Sequence, residues 1–111
     1  MHTPDNWVVI KFTPSTGLPY YRVLCGWSGG YLDGSSWRMN SGISYVNKDG
    51  DFFYFYGTSG SCYRCHQHSY GLRSNNAYVW AELQEVYQDK VCIMDEGTDW
   101  VTVFQEENKN D

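Results

Sequence analysis

The sequence predicts an α+β domain: an antiparallel sheet of about six strands, joined as hairpins and a meander, with one helix near residues 76–89 packed on one face. Three observations carry this. Short runs rich in Val, Tyr, Phe and Trp recur before residue 70, each closed by Gly, Pro, Asn or Asp. Asp49-Gly50 stands between two such runs as a hairpin signal. From Asn75 the apolar residues change to a helical period. An all-β barrel, with 76–89 as a further strand, is the alternative.

Trp7-Val8-Val9-Ile10-Lys11-Phe12 reads as a strand that ends at Thr13-Pro14, and Tyr20 to Trp27 reads as its antiparallel neighbour. Gly29 to Gly42 is loop-like, with an Asp33-Gly34 turn and a short strand around Trp37-Arg38-Met39. Ile43–Val46 and Phe52–Tyr56 form the clearest hairpin, and Gly57-Thr58-Ser59-Gly60 leads into Ser61–His68. A two- or four-residue loop there groups Phe52, Tyr54 and Tyr56 with Tyr63, Cys65 and Gln67, and Phe53 and Phe55 with Cys62, Arg64, His66 and His68. An odd loop reverses that grouping.

Val79, Trp80, Leu83, Val86 and Tyr87 lie on one helical stripe, among helix-forming Ala81, Glu82, Gln84 and Glu85. Asn75 or Asn76 is suited to cap its first amides, and Lys90 to its negative end. Val91–Met94 and Trp100–Phe104 read as two more strands, before a polar tail at 105–111 that is expected to be flexible.

At 111 residues the chain fits a single domain spanning 1–111. No stretch has the apolar length of a membrane span, and Met1 to Asp5 holds neither a basic region nor a signal core. A cytoplasmic protein is expected, with its four cysteines as thiols or metal ligands. The net charge of −5 is unevenly spread: residues 1–81 carry six basic and four acidic side chains, and 82–111 carry two and nine. A solvated helix face and tail account for that excess most simply.

The chemistry-bearing residues concentrate between Gly50 and Gly71. Cys62-Tyr63-Arg64-Cys65-His66 matches the covalent haem pattern C-x-x-C-H, with Met39 or Met94 as a conceivable distal ligand. The motif lies in strand-like sequence without an export signal, which argues against haem. Zinc could be held by Cys62, Cys65, and His66 or His68, with Cys25 or Cys92 as a fourth ligand. On a regular strand, however, Cys62 and Cys65 point to opposite sides. Two small packed thiols are the simpler reading, and no cofactor is expected.

Redox use of the C-x-x-C pair lacks a following helix, and nucleophilic use lacks a positioned base and an oxyanion site. No phosphate-binding glycine loop is present. Arg22, Arg38, Arg64 and Arg73 alternate with aromatics as single-strand nucleic-acid platforms do, but the acidic balance opposes phosphate binding.

The remaining reading is a non-enzymatic interaction or structural domain that pairs with itself or another protein through an aromatic sheet face. One helix covers one face of a sheet, so the other is left for loops or a second copy. The candidate surface residues are Trp27, Tyr31, Trp37, Tyr54, Tyr56, Tyr63 and Arg64. Exposed rings among these could alternatively stack on a sugar, a peptide or a single strand. Compact domains of this kind are common among phage and bacterial accessory proteins, an association carried by no particular residue.

Overall fold

A computed structural model describes residues 1–29 and 35–105. The described chain is α+β with seven strands in two open antiparallel sheets, and no closed barrel. Strands β1 (Asn6–Phe12), β2 (Tyr20–Trp27), β3 (Ser36–Met39), β4 (Ile43–Asp49), β5 (Phe52–Gly57) and β6 (Cys62–His66) precede helix α1 (Ser74–Tyr87). A 3₁₀ turn at Gln88–Lys90, strand β7 (Val91–Ile93) and helix α2 (Trp100–Val103) follow. The larger sheet has the order β3-β2-β1-β7, the smaller β4-β5-β6.

Three layers result. Val8, Ile10, Phe12 and Leu24 face α1, meeting Val79, Trp80 and Leu83. Trp7, Val9, Val23 and Cys25 point the other way, onto Val46, Phe55, Tyr63 and Cys65 of the smaller sheet. Strand β1 is therefore buried on both sides, which explains its unbroken Trp-Val-Val-Ile run. The open face expected on the helix-bearing sheet is covered by the chain's own second sheet. Among the described residues, strand β5 is covered on one side only.

Local chemistry explains each turn. Gly50 has φ +61° and opens the two-residue loop between Asp49 and Phe52, the glycine-first hairpin geometry. The β5–β6 loop is odd instead. Gly57 donates to the Ser61 carbonyl at 2.9 Å, leaving Thr58, Ser59 and Gly60 between them, with Gly60 at φ +92°. A three-residue loop with a left-handed glycine is a favoured hairpin closure. It pairs Phe53 with Cys65, Phe55 with Tyr63 and Tyr54 with Arg64. The face grouping expected from an even loop is thus reversed: Tyr63 and Cys65 join Phe53 and Phe55 in the core.

Two further expectations are corrected. Trp100–Phe104 is a helical turn and its C-cap, despite strand-forming residues, because the Asp99 carboxylate accepts from the Thr102 amide at 3.3 Å and its hydroxyl at 2.8 Å. Helix α1 is capped at Arg73, whose amide donates to the Asn76 side chain at 2.9 Å. Asn75 and Asn76 are wholly buried. Asn75 and Asn6 exchange amide hydrogen bonds at 2.7 and 3.1 Å, and Asn75 also donates to Ser28 at 2.8 Å. Their network ties the start of α1 to β1 and β2. At the far end Val86 overhangs the sheet into solvent, although it belongs to the stripe.

Candidate interaction surface

The smaller sheet's outer face is built by alternation. With Val46, Phe53, Phe55, Tyr63 and Cys65 turned inward, their neighbours must turn outward. The paired register sets Tyr45 beside Tyr56 and Cys62, Asn47 beside Tyr54 and Arg64, and Asp49 beside Phe52 and His66. Among the described residues no helix or strand lies over this face, and its rings are half-buried by one another.

The surface is ordered by ring contacts. Tyr45 and Tyr56 stack at 4.6 Å and 13°. The Arg64 guanidinium lies 4.0 Å from the Phe52 centroid, and the His66 ring meets Phe52 edge-on at 5.0 Å. Arg64 Nε is buried without a hydrogen-bond partner, so the ring face stands in for one. Beside Tyr54 and Tyr56 runs an open groove of about 650 Å³, also lined by Asn47, Lys48 and Asp49 and by Val101 of α2. Rings next to amide, carboxylate and ammonium groups give a surface that can stack and hydrogen-bond at once.

The seven surface candidates separate. Tyr54, Tyr56 and Arg64 share the outer face, whereas Tyr63 is in the core. Trp27 belongs to the other sheet, donates from its indole to the Thr3 carbonyl at 2.9 Å, and meets His2 edge-on. Trp37 is exposed on strand β3, remote in the topology from Tyr54. Tyr31 and the Asp33-Gly34 turn lie outside the described residues, as does most of the tail. His2 stacks on Tyr63 at 4.8 Å, and its backbone bridges to Cys62 and Arg64, so residues near Met1 line the β6 edge.

The Cys/His cluster divides as strand geometry requires. Cys62 is on the outer face near Tyr56, and Cys65 is fully buried among the core residues that include Cys25. His66 is on the outer face, and its Nδ1 accepts from the His68 amide at 3.1 Å. Among the described residues no three His, Cys, Asp or Glu side chains come together as metal ligands. Cys62 and Cys65 do not fit one zinc ion or the two thioethers of a haem, because both chemistries need their sulfurs on one side. Burial pushes both thiols up, Cys65 strongly, so neither is poised as a thiolate.

This separation has a direct readout. A thiol reagent on the native protein is expected to label exposed Cys92 first, and Cys25 and Cys65 only once denaturant is added. Mass mapping checks the order; native labelling of Cys65 at the Cys92 rate contradicts it.

Compared with family models, curated proteins and solved structures, the chain matches none of them. Function therefore has to come from the surface itself. Among the described residues no helix is long and apolar enough to cross a membrane. Sequence reasoning put Tyr54 and Tyr56 on one face, but it placed Arg64 on the opposite one and did not single out Tyr45, Asn47 or Phe52. The signal for Phe52 was its two-residue spacing from Tyr54, and that for Tyr45 and Asn47 the register of the Asp49–Phe52 hairpin; the parity of the 57–61 loop decides Arg64.

Proposed function

We propose that the protein is a non-enzymatic interaction module that associates with a second copy through the outer face of β4-β5-β6. One observation carries this reading: the aromatic side of a three-stranded sheet has no covering element among the described residues, while both faces of β1 are covered within the chain. A two-fold pairing places like surfaces together, and this face offers rings with both donors and acceptors for that purpose.

Size sets the strength. Three strands of about six residues present roughly 300 Å² of flat footprint, from strand spacing and rise. Standard stable interfaces bury about 800 Å² per partner. Pairing through this face is therefore weak and reversible, with a dissociation constant above roughly 10 µM.

Sedimentation equilibrium across a concentration series tests the reading. The weight-average mass is expected to rise from the 12.9 kDa monomer toward a dimer at high concentration. A Tyr54→Ser, Tyr56→Ser variant is expected to stay monomeric. A wild-type monomer at about 1 mM, or equal association by the variant, contradicts it.

The groove beside Tyr54 and Tyr56 favours a second reading. Asn47, Lys48 and Asp49 place hydrogen-bonding groups next to ring surfaces, an arrangement suited to a carbohydrate. A saturable sugar-induced shift confined to these residues would favour that reading over self-pairing.

A further inference from the structure

Two thiols meet in the core at the corner where the sheets join. The chain crosses that corner between His2 and Asp5. The Arg64 amide donates to the His2 carbonyl at 2.7 Å, and the Asp5 amide donates to the Gly26 carbonyl at 2.9 Å. A few residues of chain thus tie β6 directly to β2. Cys25 on β2 and Cys65 on β6 both point into the core, fully buried in one cluster.

The surrounding contacts bring the two sulfurs together. Trp7 is the cross-strand partner of Cys25, and its indole donates to the His66 carbonyl at 2.8 Å, one residue beyond Cys65. Arg38 is the other cross-strand partner of Cys25, and its guanidinium reaches the hydroxyl of Tyr63, two residues before Cys65 on the same face. Between these anchors the Cys65 thiol lies within hydrogen-bonding reach of Cys25. Burial first, and then that contact, hold the Cys65 thiol well above its ordinary range.

We propose that Cys25 and Cys65 are a redox-responsive pair that closes into a disulfide between the two sheets when the chain meets a small-molecule disulfide such as oxidised glutathione. A disulfide joins sulfurs about 2.05 Å apart on Cα atoms roughly 5.5–6 Å apart. Sheets stacked about 10 Å apart do not supply that span, whereas strands converging at a corner do.

The exchange balances in two steps. One cysteine thiolate attacks a glutathione sulfur, forming a mixed disulfide and releasing one glutathione thiolate. The second attacks the cysteine sulfur of that mixed disulfide and releases the other. Two cysteine thiols are oxidised, one glutathione disulfide is reduced, and the two cysteine protons end on the two glutathiones. The closed fold keeps Cys65 protonated and out of reach, so exchange proceeds as the chain folds or as the corner opens. The fold then selects which pair closes.

Refolding the reduced full chain in a glutathione redox buffer, quenching by alkylation and mapping by mass spectrometry tests the assignment. Cys25–Cys65 is expected as the main intramolecular bond, with Cys62 and Cys92 alkylated or carrying glutathione. Chain statistics favour a different product, because Cys62 and Cys65 close a far shorter loop in an unstructured chain. Cys62–Cys65 as the main bond overturns the proposal. So does recovery of Cys25 and Cys65 as thiols in oxidant that converts Cys92. The oxidised protein is also expected to unfold at a urea concentration at least about 1 M above that of the reduced protein, since the bond closes a long loop. An oxidised form that unfolds at or below the reduced midpoint overturns the proposal as well.

Discussion

Trp100→Ala is expected to lower stability by about 3–5 kcal/mol, the range for emptying a large aromatic site in a core. The residue is 1% exposed and is the main plug that α2 drives between the two sheets. Its ring lies 5.9 Å from Trp7, 6.1 Å from Phe55, 5.7 Å from Tyr70 and 6.3 Å from Phe104. Removing it unsupports rings from both sheets at once and leaves Phe104 as the other core anchor at the end of α2. The loss is a large share of the 5–15 kcal/mol a domain typically has. Urea denaturation checks it, and a change below about 1 kcal/mol would show that the sheets are held together elsewhere.

Gly26→Ala is expected to cost about 2–4 kcal/mol, combining overpacking with displaced buried hydrogen bonds. A methyl group at this position in β2 would land on the Asn75 side-chain amide. That amide cannot simply step aside, because it is held by Asn6 and Ser28 in a buried site. Moving it leaves the buried side-chain carbonyl oxygen of Asn6 without the Asn75 donor. The strand backbone is ordinary, so the cost is one of space rather than conformation. Gly97→Ala is the control: an added Cβ there meets nothing within 4 Å, and stability is expected to stay within about 0.5 kcal/mol. Equal effects at the two glycines would remove the Asn75 contact as the cause.

The sequence made the elements more legible than their assembly. Strands β1, β2, β4 and β5 were readable because apolar runs and turn residues coincide, as at Asp49-Gly50. The helix was readable from Val79, Trp80 and Leu83. The parity of β6 was not, because Gly57, Thr58, Ser59, Gly60 and Ser61 are all good turn residues and do not fix where the loop closes. Helix α2 was hidden by strand-forming Trp, Val and Phe, with the single Asp99 cap as the contrary signal. Asn75 read as a helix cap when it is a buried tie to Asn6, and Asn76 is both, accepting from the Arg73 amide and from Asn6. That pairing spans nearly seventy residues, and local chemistry does not reveal it.

The candidate surface was half legible for the same reason. Tyr54 and Tyr56 share a face in any register, since they are two residues apart on one strand. Which β6 residues join them depends on the loop. An even loop brings Tyr63 and Cys65 outward and buries Arg64; the three-residue loop does the opposite. The same parity leaves His66 outside, whereas the two sulfurs are separated in any register, being three residues apart on one strand.

Concentration-dependent amide shifts measured by NMR test most directly whether the outer face of β4-β5-β6 is the working surface. Between about 50 µM and 1 mM, the largest shifts are expected at Tyr45, Asn47, Tyr54, Tyr56 and Arg64, with α1 unmoved. Spectra that do not change over that range, or shifts centred on α1, would contradict the account.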